Sequence, residues 1–242
     1  MSDFAPTTDH PYDTGAQPAP DPGSFPKRFV DTLFSPVALF QRFNTRAPWV
    51  DALIVGTVLM AAFMMIIPRE LLEAQIRDAM SQQQAPPGAP APSMDTMVMF
   101  GRIGGVVSQL VGGPLIALLV AGLCTGIFGK LMDGEGSFRK HLAVVSHAGL
   151  ITPLGFAITL FFAVQSGDMA TQLSPALLIP GLEAESFAFR VLNALSVFYV
   201  WWLALLTAGV SSVNRRISPA KAGIVIFAIY LAVVVVIAAV RG

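Results

Sequence analysis

Five stretches of this chain are long, apolar and almost free of charge, and they restrict how it can fold more than any other feature. They run over residues 49–67, 104–128, 141–164, 191–210 and 222–240. A helix rises about 1.5 Å per residue, so about 20 residues cross the ~30 Å hydrocarbon layer of a bilayer. The runs are too long for strands and show no alternation of period two. The expected fold is therefore all-α: a polytopic membrane protein built as a bundle of five transmembrane helices over residues 49–242. Composition fits this medium. Charged residues make up 12% of the chain, about half the share of a soluble domain, and mean hydropathy is +0.66.

The remainder divides by character. Residues 1–26 are rich in Pro, Asp, Thr and Gly and hold no apolar run of the kind that opens a signal peptide. They read as a disordered cytosolic tail, which leaves the first span to act as an uncleaved anchor. Residues 27–48 read as an amphipathic interfacial segment, with Phe29, Val30, Leu33, Phe34, Val37, Phe40 and Phe43 mostly three and four apart. Lying on the inner leaflet would give these side chains an apolar home. The same face offers the alternative of a docking site for a protein partner through Phe29, Phe34, Phe40 and Phe43. Ser35-Pro36 is expected to divide the segment, because proline is tolerated best in a first helical turn.

Basic residues set the expected orientation. Lys27, Arg28, Arg42, Arg46, Lys130, Arg139, Lys140, Arg215, Arg216 and Lys221 fall on one side of the spans. Arg69, Arg77, Arg102, Arg190 and Arg241 fall on the other. Ten against five places the N-terminus in the cytoplasm and the C-terminus outside. The first outer loop carries a Pro-rich low-complexity linker over residues 82–92. Ahead of it, residues 69–80 alternate charge with Leu71, Leu72 and Ile76, as a continuation of the first helix beyond the membrane would.

Three blocks resemble the Yip1-domain family of polytopic membrane proteins in its bacterial form. One is Ser35-Pro36-Val37-Ala38-Leu39-Phe40-Gln41-Arg42, followed by Ala47-Pro48-Trp49. Another runs from Gly129 to Val144 and includes Asp133-Gly134-Glu135-Gly136. The third runs from Phe198-Tyr199-Val200-Trp201-Trp202 through Gly209 to Ser218-Pro219-Ala220-Lys221-Ala222. The resemblance implies a five-helix bundle with a cytosolic N-terminus, in a bacterial inner membrane. Eukaryotic members are associated with Rab GTPases and carry an Asp-Leu-Tyr-Gly-Pro motif, which this sequence lacks. The family pattern supplies no catalytic residue.

Ionisable groups inside spans are the first place to look for function. Asp51 lies at the start of the first span, where a carboxylate suits a helix N-terminus and reaches water. His147 lies about 10 Å of helix beyond Lys140. Its plainer reading is a neutral histidine bonded to a neighbouring helix; the functional one is a titrating group that tunes bundle packing. No other His, Cys or carboxylate is expected at its depth, so neither a proton relay nor a metal site is assembled. Gly101/Gly105 and Gly122/Gly126 have GxxxG spacing, which suits close packing inside the bundle or, alternatively, a homo-oligomer. Gly112-Gly113-Pro114 permits a kink. Trp201 and Trp202 are expected near the middle of the fourth span, filling space between helices. Ser108, Gln109, Thr152 and Asn193 are expected to bond between helices, Ser137 to cap the third span, and Cys124 to be a small buried apolar residue.

No enzyme signature appears, and no cofactor or metal is implied. Zero net charge gives no footprint for nucleic acid. The expected function is that of a noncatalytic membrane protein that organises or binds membrane or protein partners. The alternative is a small transporter or channel, against which the sparse polar residues in the spans weigh.

Overall fold

The computed structural model describes residues 21–81, 92–167, 173–183 and 186–240. The tail before residue 21, the linker over 82–91, Glu185 and Arg241 lie outside the described residues. Among those described the structure is helical and contains no strand.

Two short helices, α1 (Phe25–Phe34) and α2 (Pro36–Arg42), form a cap on one end of the bundle. They part at Ser35-Pro36, where the proline opens the second helix. Helix α3 (Val50–Ile66) stops ahead of Pro68, with Ile67 drawn into the extended conformation that a following proline favours. Helix α4 (Arg69–Ser81) then leaves at 88°. Its Arg69, Glu70, Glu73, Arg77 and Asp78 suit water or headgroups rather than hydrocarbon. The bend lays it across the far end of the bundle, where Leu71 is buried with Ile67, Leu160 and Ala163.

The second span is far longer than its apolar run. Helical structure is unbroken from Met94 to Leu131, 38 residues, as α5 (Met94–Val107), a π-helical stretch at Ser108–Gly112, α6 (Gly113–Cys124) and a second π stretch at Thr125–Leu131. The expected kink is realised as the first widening. Pro114 has no N–H to donate and its ring crowds the preceding turn, and a π turn absorbs both defects. At the second stretch Thr125 Oγ1 bonds back to the Ala121 carbonyl at 2.7 Å, competing with the backbone ladder.

The third span, α7 (Phe138–Ala148) and α8 (Ile151–Ser166), begins with Ser137 Oγ accepting from the Lys140 N–H at 3.4 Å. Every residue from His141 to Ala148 is buried, so α7 is the central rod, packed against the cap, α3 and α6. The fourth span is bent by 51° between α9 (Phe187–Ala194) and α10 (Val197–Val213), and α10 also packs on α7. The last span, α11 (Pro219–Val240), packs on α9 and α10. Among the described residues, three helical stretches are individually long and apolar enough to cross a membrane. The count rises to five when each bent pair forms one span.

Lipid provides no hydrophobic drive between helices, so close packing and buried hydrogen bonds hold the bundle. Glycine supplies the closest approaches, though not where the GxxxG pattern places them. A Cβ on Gly209 of α10 would lie 2.2 Å from Val144 Cγ1 of α7, and one on Gly155 would lie 2.5 Å from Phe198. Among the described residues, Gly101, Gly122 and Gly126 have nothing within 4 Å of such a Cβ, and Gly105 meets only the flexible Met64 side chain. The expectation that both GxxxG pairs pack inside the bundle is therefore corrected: except for Gly105, these glycines face away from neighbouring helices.

At the far end two arginines serve carbonyls left over at helix C-termini. Arg102 donates to the Met65 and Ile67 carbonyls at 3.1 and 2.9 Å, and Arg190 donates to the Ala238 carbonyl at 3.3 Å.

Candidate functional site

The periodicity of α1 turns Arg28 and Thr32, one turn apart, toward the bundle, and both are buried. Arg28 is 5% exposed. Its guanidinium is occupied on every side. Nε donates to Nε2 of His147 at 3.2 Å, Nη2 pairs with the Asp51 carboxylate and Nη1 donates to the Gly23 carbonyl. The Phe25 ring lies 5.9 Å from its central carbon. The sequence thus leaves His147 and Asp51 as separate candidates, and the structure joins them through a residue outside the spans.

Each partner is fixed in turn. Nδ1 of His147 lies 2.8 Å from the Ala143 carbonyl. A carbonyl only accepts, so the ring hydrogen that fits sits on Nδ1, and Nε2 presents its lone pair to Arg28. The Phe43 ring packs on the imidazole at 4.9 Å. Asp51, in the first turn of α3, accepts from the Ala52 N–H at 2.9 Å through its other oxygen. All three guanidinium nitrogens of Arg28 and both ring nitrogens of His147 are engaged. The cluster is therefore a clamp that ties α1, α3 and α7 together. Among the described residues, no group of three or more His, Cys, Asp or Glu is placed to hold a metal ion.

The rest of the cap is tied down as firmly. Asp31 accepts from Lys27 at 2.7 Å and from Arg42 at 3.0 Å, joining α1 to α2. The Lys27 hydrogen bond, with Arg42 adding to it, holds this carboxyl below its ordinary range. Lys140 Nζ donates to Asn44 Oδ1 at 3.1 Å, and Asn44 donates to the Ser212 carbonyl at 3.0 Å. Leu39, Phe40 and Phe43 enter the main core with Leu142, Leu203 and Val210. This corrects the outward placement expected for Phe40 and Phe43 and leaves the rest of the segment's apolar face outside. Phe40 and Phe43 are inside the protein, and the apolar surface left outside is Val30, Val37 and Phe34, the last 80% exposed, with Phe29 half-buried.

A second buried network closes the same end. Asn214, just past α10, donates to His141 Nε2 at 2.9 Å and to the Val210 carbonyl at 2.8 Å. Nδ1 of His141 reaches Thr125 Oγ1 at 3.0 Å, and Asn214 Oδ1 accepts from the Gly136 N–H at 2.8 Å. A Cβ on Gly134 would lie 2.3 Å from Asn214 Oδ1, and one on Gly136 2.6 Å from His141 Cε1. These loop glycines let the backbone meet the network. The signal for both networks was available, since a histidine within a span must find a hydrogen-bond partner. The identity of that partner was not.

The bend ahead of Ser196 puts Trp201 and Trp202 in the second turn of α10, not at the middle of a straight span. Trp202 packs against the core while Trp201 faces outward. Asn193 accepts from Ser174 at 3.0 Å. Gln109 and Thr152 make no side-chain hydrogen bond among the described residues. Instead they line a cavity of about 450 Å³ between α3, the first π stretch and α6, the α7–α8 junction and α10.

Residues 30–240 match the family described as the Yip1 domain. The chain is 26% identical over 184 residues to membrane protein YknW of Bacillus subtilis (strain 168), covering 73% of this chain and 74% of that one. No solved structure matches the chain.

Proposed function

Because the chain belongs to the Yip1-domain family of membrane proteins, we propose that it is a noncatalytic organiser, binding partners through its N-terminal cap. The cap lies on the cytoplasmic side of a bacterial inner membrane, with the C-terminus outside. One observation carries this reading: Arg28 and the Phe40–Phe43 core fix the cap rigidly while Val30, Phe34 and Val37 stay outside. A segment that only covered the bundle would not need an outward apolar face. Here that face is presented on a fixed support at the end richest in Lys and Arg. Phe29 and Phe34 meet the inner leaflet or a protein seated on it.

Deleting residues 1–47 is a poor test, since it removes Leu39, Phe40 and Phe43 from the core. Phe34→Ser and Val37→Ser change only the outer face. Crosslinking in native membranes and purification in mild detergent should recover a partner set with the unaltered chain and lose it with the double substitution. An unchanged set from the folded variant would overturn the proposal.

A further inference from the structure

We infer that the lateral cavity between α3, α6, α7 and α10 is a binding site for an uncharged single-chain amphiphile that enters sideways from the bilayer. The inference is independent of the cap. The cavity of about 450 Å³ adjoins a second of about 270 Å³, and the two share Met60, Thr152, Tyr199 and Trp202 in their walls. Volumes of this order are those of small-molecule sites. Ile116 and Tyr199, at its rim, are both exposed. The walls of the larger cavity come from the interior of the spans, so its opening faces lipid.

Three features select the occupant. No charged residue lines either cavity, so an ionised head would lose its hydration with nothing to replace it. Thr57, Gln109, Ser146, Thr152 and Tyr199 line the larger one without a side-chain hydrogen bond among the described residues. Ser146 is only 4% exposed and its Oγ has no partner among the described residues. Bare hydrocarbon would leave these groups unsatisfied at a cost for each. The walls are otherwise apolar, which suits an alkyl chain. A chain ending in hydroxyl or amide groups meets all three conditions.

Trp202 is the reporter. With Trp49→Phe and Trp201→Phe, the full chain keeps a single tryptophan, in the cavity wall. It is reconstituted in phosphatidylcholine vesicles, and quenching is measured with brominated monoacylglycerol, brominated fatty acid or brominated phosphatidylcholine. Quenching by the monoacylglycerol should saturate at low mole fraction and reverse with unlabelled monoacylglycerol. Ser146→Ala should weaken it about threefold to tenfold, as expected for losing one hydrogen bond. Gly113→Leu should abolish it, because a Cβ there has only ordinary contacts at 3.8 and 3.9 Å and the longer side chain enters the cavity. Should that variant unfold, Ser146→Ala still decides. Quenching that only tracks mole fraction equally for all three lipids would overturn the inference, as would saturation by the charged fatty acid alone.

Discussion

Arg28 is the residue on which the cap depends. Taking a guanidinium out of water costs several kcal/mol, which a carboxylate and well-placed acceptors offset only while all are present. Arg28→Ala should therefore cost about 2 kcal/mol, chiefly through the unsatisfied acceptor left on His147. The measurement is built in: Cys124 is the chain's one cysteine and is buried, so the temperature at which it reacts with a maleimide reports unfolding in detergent. Arg28→Lys should recover only part of the loss, because an ammonium cannot reach both His147 and Asp51 with fork geometry. An unshifted midpoint in Arg28→Ala would refute the clamp. In the sequence Arg28 looks like any basic residue on an amphipathic helix. Its histidine partner lies 119 positions away, beyond any periodic pattern, which is why His147 was legible as a candidate and its partner was not.

At the scale of helices, glycine separates what a motif suggests from what packing uses. Gly209 stands outside any GxxxG pair, yet an added methyl there would run into Val144 of α7. Gly209→Ala should destabilise the bundle by about 1–3 kcal/mol through overpacking. Gly122→Ala and Gly126→Ala, facing open space, should stay within about 0.5 kcal/mol. The same thiol assay reads all three, and equal losses would contradict the packing. Long apolar periods made the spans legible because length and hydropathy are local properties. Bends were only partly legible. Proline marked the breaks at Ser35-Pro36 and Ile67-Pro68, whereas the extension of the second span back to Met94 crosses Asp95 and Arg102. Those charges pair with α4 and the end of α3, contacts that a hydropathy profile does not contain.

For the molecule as a whole, the family, the all-helical fold and the membrane-crossing helices fit together, and the proposed sidedness makes a direct prediction. The cap, the 132–137 loop and the α10–α11 turn share one end. In a Cys124→Ala background, single cysteines at Ser137 and Ser218 should therefore resist an impermeant maleimide until the cells are opened, whereas one at Glu70 labels at once. The reverse pattern would invert the proposed topology. Arg28 is made early, but the imidazole it docks against arrives only with the third span. At synthesis rates of 5–20 residues per second this leaves roughly 6–24 s in which the guanidinium must remain hydrated. The cap therefore shuts late in biogenesis, and its closure requires that the helices carrying Asp51 and His147 have found one another.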